Sequence, residues 1–133
     1  QIQKIETNLI ELGYQIFAIS PDSVEQLKQS SEKLVLAYTL LSDHSLQAAR
    51  AFGIAFRVDD QTVKKYLEFG IDLEKSSGES HHVIPVPGVF IIGMDGLIKY
   101  SYVNPDYKER LDPDILLAAA KALLKTKNKL DKK

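Results

Sequence analysis

Few side chains in this sequence have the types and spacing that chemistry needs. The chain has no cysteine, so it can form no thiolate nucleophile, disulfide or Cys-ligated zinc site of its own. His81 and His82 are adjacent. On a strand they would point to opposite faces and could not easily chelate one ion. Loop or strand-edge histidines are the plainer account, with a metal or proton-transfer role as the alternative. Asp43, His44 and Ser45 name the members of a catalytic triad, but consecutive residues suit a helix cap and first turn better than a nucleophile–base–orienter geometry. Asp59-Asp60 offers paired carboxylates, and a helix cap again explains them more simply. Tyr107 and Arg110 either brace the last helix or border a partner surface. No Gly-rich phosphate loop is present, and no residue set calls for a metal or other cofactor.

The elements that would position these groups can be read in order. Ile2, Ile5, Leu9 and Leu12 share one face of a helix over residues 1–12, with Gly13 at its C′ position. No Ser, Thr, Asp or Asn precedes that face, so the helix is expected to be joined after its beginning, as part of a longer polypeptide. Tyr14–Ile19 reads as an interior parallel strand. Asp22 with Glu25 forms a capping-box pattern for a helix to about Lys33, with Val24, Leu27 and Leu34 facing inward. Ala37–Leu41 reads as a short strand. Ser42 or Asp43 caps a helix through Phe52, with Leu46, Ala49 and Phe52 inward and Gly53 closing it. Asp59 or Asp60 caps a short helix bearing Val63, Tyr66 and Leu67, closed near Gly70. Residues 76–80 read as a flexible loop.

The run from Val83 to Val103 organises the rest. Pro85 and Pro87 stand at a strand entrance, where a missing N–H breaks no ladder bond. Val89–Ile92 is apolar throughout, the pattern of a strand covered on both faces. Met94-Asp95-Gly96 supplies hairpin-turn chemistry, and Ile98, Tyr100 and Tyr102 alternate with Lys99, Ser101 and Val103. Asn104-Pro105-Asp106 is a turn, and Asp112-Pro113 is an N-cap followed by proline at N1. The last helix turns Ile115, Leu116, Ala119, Ala122 and Leu123 to the core and frays from Lys127.

Composition bounds the reading. The 133 residues, 44% hydrophobic and 26% charged, describe one ordinary globular domain over 1–133. A formal net charge of −1 gives no reason to expect nucleic acid or an anionic membrane as partner. The six lysines between Lys121 and Lys133 read as a solvated helix end and tail. No apolar run approaches the ~18 residues of a membrane span, and no signal-peptide pattern is visible. The fold expected is α/β, a mixed sheet with helices on both faces.

Six segments extend this by resemblance: I-F-A-I-S-P-D-S at 16–23, T-L-L-S-D at 39–43, A-R-A-F-G-I-A-F-R-V at 49–58, F-G-I-D-L at 69–73, P-V-P-G-V-F-I-I at 85–92 and N-P-D-Y-K-E-R at 104–110. In this order they resemble the peroxiredoxin-like branch of the alkyl hydroperoxide reductase/thiol-specific antioxidant family, and the last half resembles the C-terminal half of a thioredoxin-like fold.

The resemblance implies a thioredoxin-like domain lacking its N-terminal strand or strands and the reactive cysteine. It implies thiol-dependent reduction of peroxides or disulfides by the parent protein, with a thiol reductant as partner and a cytoplasmic location. A thiolate of that kind is favoured at a helix N-terminus. Many peroxiredoxins carry an arginine before the strand matching Val89–Ile92; here Val86, Pro87 and Gly88 stand there. Pro87 matches the cis-proline of thioredoxin-like oxidoreductases, so Val86, Pro87 and Gly88 are the expected active-site wall, the Val86–Pro87 bond is expected cis, and His82 is a possible neighbour. In the family the cysteine-bearing strand lies between the equivalents of 14–19 and 89–93. Its absence leaves three outcomes: an unseen segment, strand-mediated association with another chain, or a closed-up sheet. A thioredoxin-fold binding module, naturally without cysteine and holding a partner strand near Pro87, is the alternative. A flavodoxin-like or receiver domain fits the antiparallel hairpin poorly.

Overall fold

The computed structural model describes residues 2–32 and 37–130, with side chains through residue 125 of the last helix. Its elements, in order, are a 3-10 turn at Ile2–Lys4, α1 (Glu6–Glu11), β1 (Phe17–Ser20), α2 (Val24–Ser31), β2 (Thr39–Ser42), α3 (Gln47–Ala51), β3 (Ala55–Arg57), α4 (Asp60–Glu68), α5 (Leu73–Ser77), β4 (Val83–Pro85), β5 (Gly88–Ile92), β6 (Ile98–Val103) and α6 (Pro113–Leu130). This mixed α/β set of small sheets is consistent with a thioredoxin-like fold. The described strands pair as β1–β2, parallel, and as β3–β4 and β5–β6, both antiparallel. Two compact units result: Gln1–Ile16 with Pro87–Lys133, and Phe17–Val86.

The first unit is built on the face read from the N-terminal sequence. Ile5 and Leu9 of the first turns, Ile91 of β5, and Leu116 and Ala120 of α6 form a buried cluster, with Ile2, Leu12, Tyr14, Val89, Tyr100 and Leu123 packed against it. Tyr14 Oη donates to Ala120 O at 2.9 Å, tying the end of α1 to α6. Gly13, at φ +87, closes α1 with Gly13 N to Ile10 O and Tyr14 N to Leu9 O, the paired bonds of a Schellman ending. Asp112 Oδ1 accepts from Asp114 N at 2.8 Å, so the Asp-Pro signal does start α6. Ile115 and Ala122, expected on the core side, are exposed instead. Leu116, Ala119 and Leu123 do face the cluster as expected, and Ala120 joins them.

The β5–β6 hairpin turns at Met94-Asp95-Gly96 as its composition predicts. Gly96 has φ +76, and Asp95 Oδ2 accepts from Lys99 Nζ at 2.6 Å. A Cβ on Gly93 would lie 2.6 Å from Asp95 Oδ1 and 2.7 Å from Lys99 Cε, so a side chain there would displace the ends of the two clamp residues. Ile91 pairs with Tyr100 but Ile92 with Ile98, which makes Lys99 the extra residue of a bulge. The bulge interrupts the alternation: Ile98 leaves the face of Tyr100 and is 51% exposed. Ile92, opposite it, is 48% exposed, so β5 is covered on one face rather than two.

In the second unit, β1 and β2 run in register from Phe17↔Thr39 to Ser20↔Ser42. Phe17 and Ile19 are 52% and 49% exposed. The strand is parallel as expected, but its apolar face lacks the predicted cover. The cap of α2 is Ser23, whose Oγ accepts from Gln26 N, while Asp22 takes the hydroxyl of Ser20 at 2.7 Å. Val24 is exposed rather than inward; Lys33 and Leu34 lie outside the described residues. Asp43 serves α3 at a distance: its two carboxylate oxygens accept from Ala48 N at 3.0 Å and Ala49 N at 2.9 Å. Leu46, fully buried with φ 58 and ψ 31, turns the chain into that helix. Gly53 and Gly70 end α3 and α4 with the same paired bonds seen at Gly13. The stretch 76–80, read as a loop, contains the end of α5. Ser77 is buried there, its Oγ donating to Leu73 O at 2.8 Å and accepting from Glu79 N at 3.1 Å.

Candidate functional site

β4 shows what the two prolines do. Val58 N donates to His82 O at 2.8 Å, and Val86 N donates to Ile54 O at 2.7 Å. Between them Phe56 pairs with Ile84. Residues 82, 84 and 86 therefore face β3, and the period of two turns the nitrogens of residues 83, 85 and 87 to the outer side. Pro85 and Pro87 have no N–H to lose there. Val83 is the one donor on that side, and its N–H goes to His81 Nδ1 at 2.9 Å.

The Val86–Pro87 bond is trans, since no described peptide bond is cis; this corrects the cis expectation. Val86 N is committed to Ile54 O, and Pro87 O accepts from Asn104 N at 3.2 Å. Val86 belongs to the unit 17–86, whereas Pro87 and Gly88 begin the returning part of the other unit. Gly88 opens β5 opposite Val103, and a Cβ on it would lie 3.1 Å from Phe90 Cε2 and 3.3 Å from Val103 Cγ2. The strand starts at glycine because the ring of Phe90 and the Val103 side chain crowd that position.

All three histidines meet around the segment between α5 and β4. His82 has φ 51, and its Nε2 lies 2.7 Å from Glu74 Oε1 on α5. His44 Nδ1 lies 3.1 Å from Glu79 Oε1, and His81 Nε2 lies 2.9 Å from His44 O. A cavity of about 30 Å³ lined by Pro21, Asp22, Ser77, His81 and His82 lies beside them, room for about one water molecule. His82 is a left-handed non-glycine residue, a kind concentrated at functional sites, and it is held by both its backbone and its ring. Among the described residues no group of three His, Asp or Glu side chains could hold a metal ion.

The other candidates settle into structural roles. Asp43 is a helix cap, and His44 is turned to Glu79. Asp59 caps α4 by accepting from Thr62 N at 2.9 Å and Thr62 Oγ1 at 2.7 Å. Those two bonds, the hydroxyl first, hold its carboxyl below the usual aspartate range. Tyr107 and Arg110 are exposed. Sequence reasoning missed Glu74, Glu79 and Ser77, whose partners are set by the turn of the chain at Gly78, φ +77. The Ser-Ser-Gly run was the available signal, a helix end of the kind glycine marks.

Small parallel and antiparallel sheets joined through helices, with a proline-bearing strand before the last hairpin and helix, are consistent with a thioredoxin-like fold. The model of the AhpC/TSA family matches residues 1–101, and the chain belongs to that family. Its members are thiol-dependent peroxidases and related oxidoreductases, which act on peroxides with a thiol reductant, whereas this sequence has no cysteine. No curated protein sequence matches the chain. Among the described residues no helix is long and apolar enough to cross a membrane.

Proposed function

We propose that these residues serve a peroxiredoxin-like thiol oxidoreductase with an antioxidant role, and that its reactive thiolate is supplied from outside them. The carrying observation is the family match over residues 1–101 in a sequence with no cysteine. In such an enzyme the thiolate attacks one peroxide oxygen, the O–O bond breaks, the cysteine becomes a sulfenic acid that stays on the protein, and the other oxygen leaves as alcohol or water after taking up a proton. Residues 1–133 alone contain no group that can take the thiolate's part. Val86, Pro87 and Gly88 are the proposed wall of the site. A backbone without free N–H groups at Pro85 and Pro87 leaves that wall unable to add a strand through those residues. His82, held to Glu74, is the proposed neighbour.

Part of this reading is that residues 1–133 form one thioredoxin-like domain and act in the cytoplasm, where thiols are kept reduced. The test is peroxide consumption and insulin reduction by the 133-residue chain with a dithiol reductant. No turnover above the reductant blank is expected, and turnover would overturn the proposal.

A second reading, a non-catalytic binding module, draws on Phe17, Ile19 and Leu41, which stand exposed on one face of β1–β2. Strand-mediated self-association belongs to it. Sedimentation velocity across a concentration series tests this, and an invariant monomer mass counts against it.

A further inference from the structure

We propose that His81 is a pH-dependent latch on the outer edge of β4. Its two ring nitrogens have assigned partners that fix the tautomer. A backbone N–H can only donate, so Nδ1, 2.9 Å from Val83 N, must present its lone pair. A backbone carbonyl can only accept, so Nε2, 2.9 Å from His44 O, must carry the hydrogen. The ring is neutral in this arrangement. A second proton would sit on Nδ1 and face another N–H. The bond to Val83 would then be replaced by a donor–donor contact, and the ring or the amide would have to turn away.

The consequence is local because of what surrounds the ring. From α5 comes Glu74, paired with His82 Nε2 at 2.7 Å, and from the loop before β4 comes Glu79, paired with His44 Nδ1 at 3.1 Å. Protonation of either partner imidazole strengthens these pairs. From the β1–α2 loop comes Asp22, beside the same cavity, with one oxygen accepting from Ser20 Oγ. From the β2–α3 loop comes Asp43, with both oxygens taken by Ala48 N and Ala49 N. A second proton on His81 therefore loosens one bond, that to Val83. With Pro85 and Pro87 lacking N–H groups, Val83 is the edge's only donor among residues 83, 85 and 87. In its latched state the edge offers none of them, and in acid it offers one. The latch needs no thiol chemistry, so it stands or falls apart from the function proposed above.

The test is amide hydrogen exchange of Val83 in the 133-residue chain between about pH 8 and about pH 5, expressed as protection factors. Val83 protection is expected to fall by roughly three- to tenfold, the factor for losing an ordinary hydrogen bond, while Ile84 in the β3–β4 ladder keeps its protection. In His81→Asn the side-chain oxygen can still accept from the N–H two residues on at any pH, so Val83 protection should stay flat. An unchanged Val83 in the wild type, a parallel loss at Ile84, or the same fall in His81→Asn overturns the latch. Long-range ¹H–¹⁵N correlation of the wild-type ring at about pH 8 is a second readout, independent of the variant. The Nε2–H tautomer is expected, and a dominant Nδ1–H tautomer overturns the proposal.

Discussion

Leu46 tests whether burial can hold a residue in a backbone conformation that its side chain resists. It is fully buried at φ 58 and ψ 31 and directly precedes α3. Left-handed backbone costs a residue with a Cβ about 1–2 kcal/mol. Deleting most of a buried leucine costs about 2–5 kcal/mol, so Leu46→Ala should lower Tm by about 3–5 °C per kcal/mol, on the scale of a domain this size. Leu46→Gly removes the same side chain and also the left-handed penalty, against about 0.4–1 kcal/mol of added freedom in the unfolded chain. The glycine variant should therefore match the alanine variant or exceed it by up to about 1.5 kcal/mol. Ala49→Gly, two residues into α3, provides the ordinary helical contrast and should cost about 1 kcal/mol. Thermal unfolding followed by circular dichroism measures all three. If Leu46→Gly proves about 1 kcal/mol less stable than Leu46→Ala, as at a right-handed position, the strain argument is refuted.

Two further substitutions probe the other unit. Tyr14→Phe removes the 2.9 Å bond to Ala120 O and should cost about 1 kcal/mol. Burial pushes the Tyr14 phenol above its usual pKa, so its contribution is complete below the unfolded value near 10 and is lost as pH rises through the raised folded value. Alkaline unfolding curves should converge for Tyr14→Phe and wild type, and a constant separation would refute this. For Asp95, first the Lys99 side-chain hydrogen bond and then the Leu97 amide hold the carboxyl below its usual range. That stability is present above the unfolded aspartate value and lost as pH falls through the depressed folded one. Lys99→Met should lower Tm at neutral pH, with the difference shrinking in acid; a difference independent of pH would exclude the clamp as its cause.

What could be read from the sequence was what side chains do within a few residues of themselves. Gly13, Gly53 and Gly70 mark helix ends because a positive φ is cheap only there. Asp59 and Asp112-Pro113 mark helix starts because a short acceptor meets free N–H groups one turn on. The reading failed where two such groups compete or where a distant contact decides. Asp22 and Ser23 both suit a cap, and the Ser20 hydroxyl drew Asp22 away. Leu46 carries no local signal for left-handed backbone; the demand comes from its burial. Ile98 was placed on the face of Tyr100 by counting, and a single bulge residue, Lys99, undid the count. For the candidate site, the prolines were legible as edge residues, but the isomer at Pro87 was not.

The edges of the three small sheets are treated unequally, and this connects the fold to the proposed function. β4 closes its outer side with Pro85, Pro87 and the His81 bond to Val83, three devices on alternate residues. β1 has nothing comparable: Phe17-Ala18-Ile19 carries no proline or charge, and Phe17 and Ile19 stand exposed. Exposed apolar strands normally carry charge or proline against unwanted pairing. A chain that guards one edge so fully and leaves another bare has the pattern expected if the bare edge is covered in the working protein. Under the proposed function, a strand that carried the thiolate beside β1 would pair with that edge. The proposed external source of the thiol and the unguarded apolar strand thus point to the same requirement.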